Sequence, residues 1–119
     1  MKKMISVTMF IFTLTLAVPV FLHAQDPLEI APEVYTKLFE NDQVRVLEAR
    51  IKPGAQVAEH SHPNHFGYPM SDATLSLTKN GETKEVQVKA GEVIWIDAET
   101  HSTVNHGTTE FHGLVVELK

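Results

Sequence analysis

The sequence predicts an all-β domain, a sandwich or closed barrel, and three observations carry that expectation. Short runs of β-branched, aromatic and aliphatic residues alternate with polar ones. Turn residues break these runs roughly every 8–12 positions, the spacing of small β-domains. No stretch beyond residue 24 keeps apolar residues in a helical period over three turns.

The elements follow in chain order. Residues 25–33, opening QDPLEIAP, hold two prolines and no period, and read as a linker or an arm on the surface. The domain proper is expected over 34–119. Its first strands are Val34–Phe39 and Val44–Ile51, the second alternating as V-R-V-L-E-A-R-I. Pro53-Gly54 turns the chain into Val57–His62, which stops before Pro63. Phe66–Met70 is apolar, and Ser71-Asp72-Ala73 turns into Thr74–Thr78, a strict alternation. Asn80-Gly81 then favours positive φ at two successive residues, the requirement of a type I′ hairpin. Glu85–Lys89, Glu92–Ile96, His101–His106 and Phe111–Leu118 complete the set.

The N-terminus reads differently. Lys2 and Lys3 precede an uncharged, mostly apolar run from Met4 to Leu22, and Ala24 offers a small residue before Gln25. Basic start, apolar centre and small residue make a secretory signal peptide over 1–24. The competing reading is an uncleaved anchor, for which the run is near the lower length limit. Export places the processed protein in the periplasm or outside the cell, with no membrane attachment after cleavage.

Cleavage removes two lysines and no acid. What remains carries 8 basic residues against 15 acidic, a net charge of about −7 with neutral histidine. Nucleic-acid binding is excluded as a leading reading, because phosphate neutralisation needs clustered Lys and Arg. There is no cysteine, hence no thiol nucleophile, no thiolate metal site and no disulfide framework. There is no G-x-S-x-G elbow, P-loop or H-E-x-x-H either.

What the chain does have is histidine: six of its seven lie beyond residue 24. His60 and His62 are two apart at a strand end, so both side chains point to one face and can meet one ion. Imidazole suits divalent transition metals. A third ligand must come from another strand, and His101, after the polar turn Asp97–Thr100, is the best placed. A pair alone reads equally as solvated or core histidine, and its surroundings decide.

Those surroundings resemble the two sequence motifs of the cupin superfamily. Gly54–His62 reads Gly, five residues, His, one residue, His. Gly91–Asn105 reads G-EVIWI-D-AET-H-STV-N, and a hairpin separates the two segments. The resemblance spans about residues 37–119. It implies a single double-stranded β-helix barrel of the jelly-roll kind. It also implies a metal held by two histidines and a glutamate of the first motif and one histidine of the second. Position by position, the histidines are His60, His62 and His101.

The glutamate has no counterpart, since Phe66 and Gly67 occupy its place, and Asp97 replaces the usual proline of the second motif. His65, Tyr68 or a water could take the fourth position, with water the favoured reading. Around the metal, Tyr68 is expected as a pocket wall with its hydroxyl hydrogen-bonded. Asn105 is expected to bond a turn or a ligand ring nitrogen, and His112 to face the lumen as a proton carrier or to face solvent. His106 and Glu59 read as surface residues. Trp95 reads as core or dimer contact, with substrate stacking the alternative.

The resulting expectation is an exported cupin with one divalent transition metal ion (Fe, Zn, Mn, Ni or Cu), binding a small organic ligand or substrate and pairing as a homodimer. Whether it is an enzyme, of oxygenase, isomerase or lyase type, stays open. The alternative is a non-catalytic, metal-free barrel for ligand binding or protein interaction.

Overall fold

The computed structural model describes residues 25–119; the expected signal peptide, 1–24, lies outside them. Nine strands form two antiparallel sheets packed face to face. They are β1 (Tyr35–Glu40), β2 (Val44–Ile51), β3 (Gln56–His62), β4 (His65–Pro69), β5 (Ala73–Lys79), β6 (Glu82–Val88), β7 (Ile94–Ile96), β8 (Glu99–Asn105) and β9 (Phe111–Leu118). The larger sheet runs β1-β2-β9-β4-β7 and the smaller β3-β8-β5-β6. Chain neighbours such as β2 and β3 lie in different sheets, which gives the double-stranded β-helix. Among the described residues no helix is long and apolar enough to cross a membrane.

The hairpin at Asn80-Gly81 has φ of 50° and 77°, the type I′ geometry, and it aligns Lys79 with Glu82. Its register puts Leu75 and Leu77 on the inner face with Val86.

Residues 25–33 do more than link. Pro27–Ile30 form a one-turn helix, α1, whose N-cap Asp26 accepts from the Leu28 N–H at 2.9 Å. Pro27 and Ala31 are buried, so the segment closes one side of the barrel. It covers a core of Ala31, Val34, Leu47, Ala49, Ile51 and Val57.

Strand β3 is irregular where the site begins. Its pairing with β8 shifts between Val57↔Thr103 and His60↔His101. Ala58 and Glu59 form the bulge and are exposed, as expected for Glu59, while Val57, His60 and His62 all face inward. Without the bulge, strict alternation would place Val57 and His60 on opposite faces.

Candidate metal centre

Strands β3, β4 and β8 bring His60, His62, His65 and His101 to one end of the barrel interior, all of them buried. The rings interlock: His60 lies 4.9 Å from His62 and 4.8 Å from His101 between centroids, and His65 lies 4.6 Å from His62. One ring nitrogen from each of His60, His62 and His101 falls within 4.8 Å of the other two. His65 stands beside this group and is not part of it.

Each ring is fixed through Nδ1. His60 donates to the Ala58 carbonyl inside the bulge at 2.7 Å, and His65 to the Pro63 carbonyl at 2.7 Å. His62 donates to Glu117 and His101 to Glu99, both at 2.8 Å. Carbonyls and carboxylates only accept, so all four Nδ1 atoms carry the hydrogen, and in the neutral ring that leaves Nε2 with the lone pair. That is the tautomer a metal ligand needs, with the oxygen partners setting ring orientation.

The electrostatics agree. Burial lowers the pKa of His60 from 6.5 to about 4, and burial also lowers His65 and His101. These rings are neutral at neutral pH. Burial pushes the Glu117 carboxyl up, but hydrogen bonds from His62 and Arg45 outweigh it and hold Glu117 below its usual range. Arg45 reaches Glu117 at 2.6 Å and Asp26 at 2.7 Å, so an ionic chain ties the α1 arm to the His62 ring. Glu99 is likewise lowered on balance, by His101 and Lys79 against its own burial.

The donor set fits a divalent transition ion. Three neutral imidazoles face one point, and two carboxylates behind them offset its charge. His60, His62 and His101 would hold the ion through one ring nitrogen each. Tyr35, absent from the sequence reading, is the fourth neighbour. Its hydroxyl donates to His60 Nε2 at 3.1 Å, and burial, with Glu117 nearby, raises its pKa far above the usual value.

Tyr68, His112 and Asn105 all lie outside the cavity lining, which for His112 and Asn105 is one of the two alternatives the sequence offered. Tyr68 is 39% exposed on the outer face of β4, because strand alternation turns its neighbours Gly67 and Pro69 inward. His112 lies outside the cavity too, with Nε2 3.3 Å from Glu48 on the outer face of β2 and β9. Asn105 is fully buried and bonds a turn, not a ring: it donates to the Ile51 and Thr109 carbonyls and accepts from Gly107 N–H. Trp95 is not core. It is 54% exposed, its indole N–H donating to Asp97. His106 is exposed, as expected. Gly67, at the missing glutamate's place, lines the cavity.

The residues that sequence reasoning missed carried unequal signals. Glu99 sits two positions before His101 on the same strand face, a readable pattern. Glu117 is 2% exposed within V-V-E-L, and a lone acid inside an apolar strand hints at a buried partner without naming it. Nothing in the sequence joins Tyr35 to His60.

Beside the histidines lies a cavity of about 270 Å³ between the sheets. Tyr35, His62, His65 and His101 form one end of it. Aliphatic and aromatic side chains, among them Ile51, Leu75, Val88, Ile96, Phe111 and Val115, form most of the rest, with Glu99 and Thr103.

No family model and no curated protein sequence matches the chain. Solved structures do. A cupin domain from Bordetella pertussis Tohama I aligns with a TM-score of 0.68 at 26% identity, over 72% of this chain and 92% of that one. A conserved protein with a double-stranded β-helix domain from Klebsiella pneumoniae aligns at 0.59 and 20% identity, over 71% and 75%. A protein described as a predicted oxalate decarboxylase from Thermotoga maritima aligns at 0.52 and 26% identity, over 71% and 79%. The two-sheet barrel, its strand order and these likenesses agree, and the chain belongs to the cupin superfamily.

Proposed function

We propose that the chain is an exported cupin in which His60, His62 and His101 hold one divalent transition metal ion (Fe, Zn, Mn, Ni or Cu) beside a cavity for a small organic molecule. The observation that carries the reading is the common tie: every ring is bonded at Nδ1, and one ring nitrogen of each lies within 4.8 Å of the other two. An ion held by imidazoles gains no negative charge from its direct ligands and would act as a Lewis acid toward a bound oxygen or sulfur atom. The protein orients the rings, keeps His60 and His101 neutral by burial and supplies a largely apolar chamber. The test is elemental analysis of the protein purified without chelator or His tag, beside His60→Ala/His62→Ala. Near-stoichiometric metal is expected in the parent and at least tenfold less in the variant. Equal metal in both would sink the assignment.

One observation supports a second reading. The Tyr35 hydroxyl already satisfies His60 Nε2, so the site is complete in hydrogen bonds at that ring without an ion. If the parent takes up no metal after incubation with each of the five ions, the barrel is a metal-free binding module.

The partner we assign to the outer face of the larger sheet is a second copy. One register row crosses all five strands as Phe39, Val46, Val116, Phe66 and Trp95, and every residue in it is apolar. Phe39 and Trp95 are more than half exposed, and such a face calls for a cover. Light scattering is expected to give a dimer for the parent and a monomer for Trp95→Glu. A monomeric parent removes the pairing.

A further inference from the structure

We infer that the cavity takes an uncharged small molecule with an apolar body and a single O–H or S–H head group, the head seated at the histidines. This rests on the reading above that the site receives a small organic molecule, and it names the class.

Size sets the first limit. At roughly 30 Å³ per water, about 270 Å³ equals some nine waters, the scale of one substituted ring or a short chain.

The walls set the second. No Lys or Arg lines the cavity among the described residues, and its one carboxylate, Glu99, already accepts from His101 and Lys79. Apart from Tyr35, Thr103 and Glu99, the lining away from the histidines is carbon. A second charge on the ligand would sit there unpaired, at a cost of several kcal/mol. An oxalate-like dianion therefore does not suit this chamber, whatever the relative described as a predicted oxalate decarboxylase acts on.

The head group follows from the tautomers. With Nδ1 of His62, His65 and His101 occupied, the free nitrogen of each cavity-lining ring is Nε2, which in the neutral ring has only a lone pair to offer. A lone pair asks for a donor, so the head carries a hydrogen on oxygen or sulfur. A bound ion would take the same atom once that hydrogen is lost.

An entry path is present. β6 and β7 are the outermost strands of their sheets, and Val86, Ile94 and Ile96, all half-buried, line the cavity beside them. Ligand enters along this apolar seam.

Gly67 offers a block that leaves the histidines alone. It faces the cavity from the middle of β4, and a Cβ there meets nothing closer than the Leu114 carbonyl oxygen at 4.0 Å. A larger side chain fills the chamber without a clash at its root.

The experiment is calorimetric titration of the purified protein, chelator-treated and then zinc-loaded, with 4-ethylphenol, ethylbenzene and sodium oxalate. On the metal-free protein 4-ethylphenol is expected to bind at least fivefold more tightly than ethylbenzene, and oxalate not at all. Gly67→Leu is expected to weaken 4-ethylphenol tenfold or more while keeping the parent's metal content. Histidine ¹⁵N shifts on adding 4-ethylphenol to the parent locate the head group even if Gly67→Leu fails to fold. Oxalate binding to the metal-free protein, equal affinity for ethylbenzene, or no histidine shift overturns the inference. Phenol binding without any metal uptake keeps it and removes the metal site; metal uptake without phenol binding does the reverse.

Discussion

Beneath α1 and beneath β6 and β7, the space between the sheets holds the same kinds of side chain in different states. Under α1, Leu47 and Val57 are at 0% and 1% exposure, and Ala31 seals them from above. Under β6 and β7, Leu75 and Val88 are at 8% and 5%, beside half-buried Val86 and Ile94 and an open volume. One side is clasped by the segment before β1, capped at Asp26 and bound through Arg45. The other ends at two outermost strands with nothing over them among the described residues. The clasped side can therefore supply most of the burial that holds the sandwich, which leaves the other free to stay hollow. The histidines stand between the two. Their partners Glu117 and Arg45 lead toward the clasp, and His62, His65 and His101 line the hollow.

Truncating one leucine on each side is the sharpest way to break this comparison. Leu47→Ala opens a new void in a filled region and is expected to cost about 3–4 kcal/mol. Leu75→Ala enlarges a space already there, so its cost is expected near the bottom of the range, about 2 kcal/mol. Denaturant unfolding of both variants measures the difference. Equal losses would mean that the hollow side is as tightly packed as the clasped one.

How much of this was legible depended on whether the cause was local. Strands β2 and β9 have the expected bounds, Val44–Ile51 and Phe111–Leu118, because runs of β-branched residues and flanking turns are local signals. The hairpin at Asn80-Gly81 was legible for the same reason, since two positive φ values require such residues. The three histidines were found through motif spacing inside β3 and β8. Their environment was not. Glu117 lies 55 residues from His62 and Tyr35 lies 25 from His60, and only the fold joins them. The face of His112 was unreadable because β9 is apolar on both sides: Val115 looks inward while Val116 belongs to the outer row. Helix α1, at four residues, is too short to show a period, and burial of Pro27 together with the Asp26–Arg45 pair holds it in place. The bulge at Ala58-Glu59 inverts the face of every residue before it on β3, an effect that pairing with β8 imposes.

Acid gives the gentlest probe of the two sides, because Leu47, Val57 and Ala31 have nothing to titrate and the hollow side has buried imidazoles. Burial lowers His60 to about 4 in the folded chain, against 6.5 when unperturbed, and lowers His65 and His101 in the same direction. Below pH 6.5 the unfolded chain takes up protons that the folded chain refuses. The stability these rings contribute is thus fully present above 6.5 and is lost as pH falls toward 4. Each ring kept neutral adds a slope of up to about 1.4 kcal/mol per pH unit. Glu117 and Glu99, both lowered from 4.5, add their own loss only at more acid pH, so the window from 7 to 5 isolates the histidines. Denaturant unfolding of the metal-free protein at pH 7, 6 and 5 is expected to show a falling free energy, with Leu47→Ala displaced downward and parallel to the parent. A flat profile over that window would mean that the rings accept protons in the folded state, and with that the lone pairs facing the cavity would no longer be there to bind an ion or a hydroxyl.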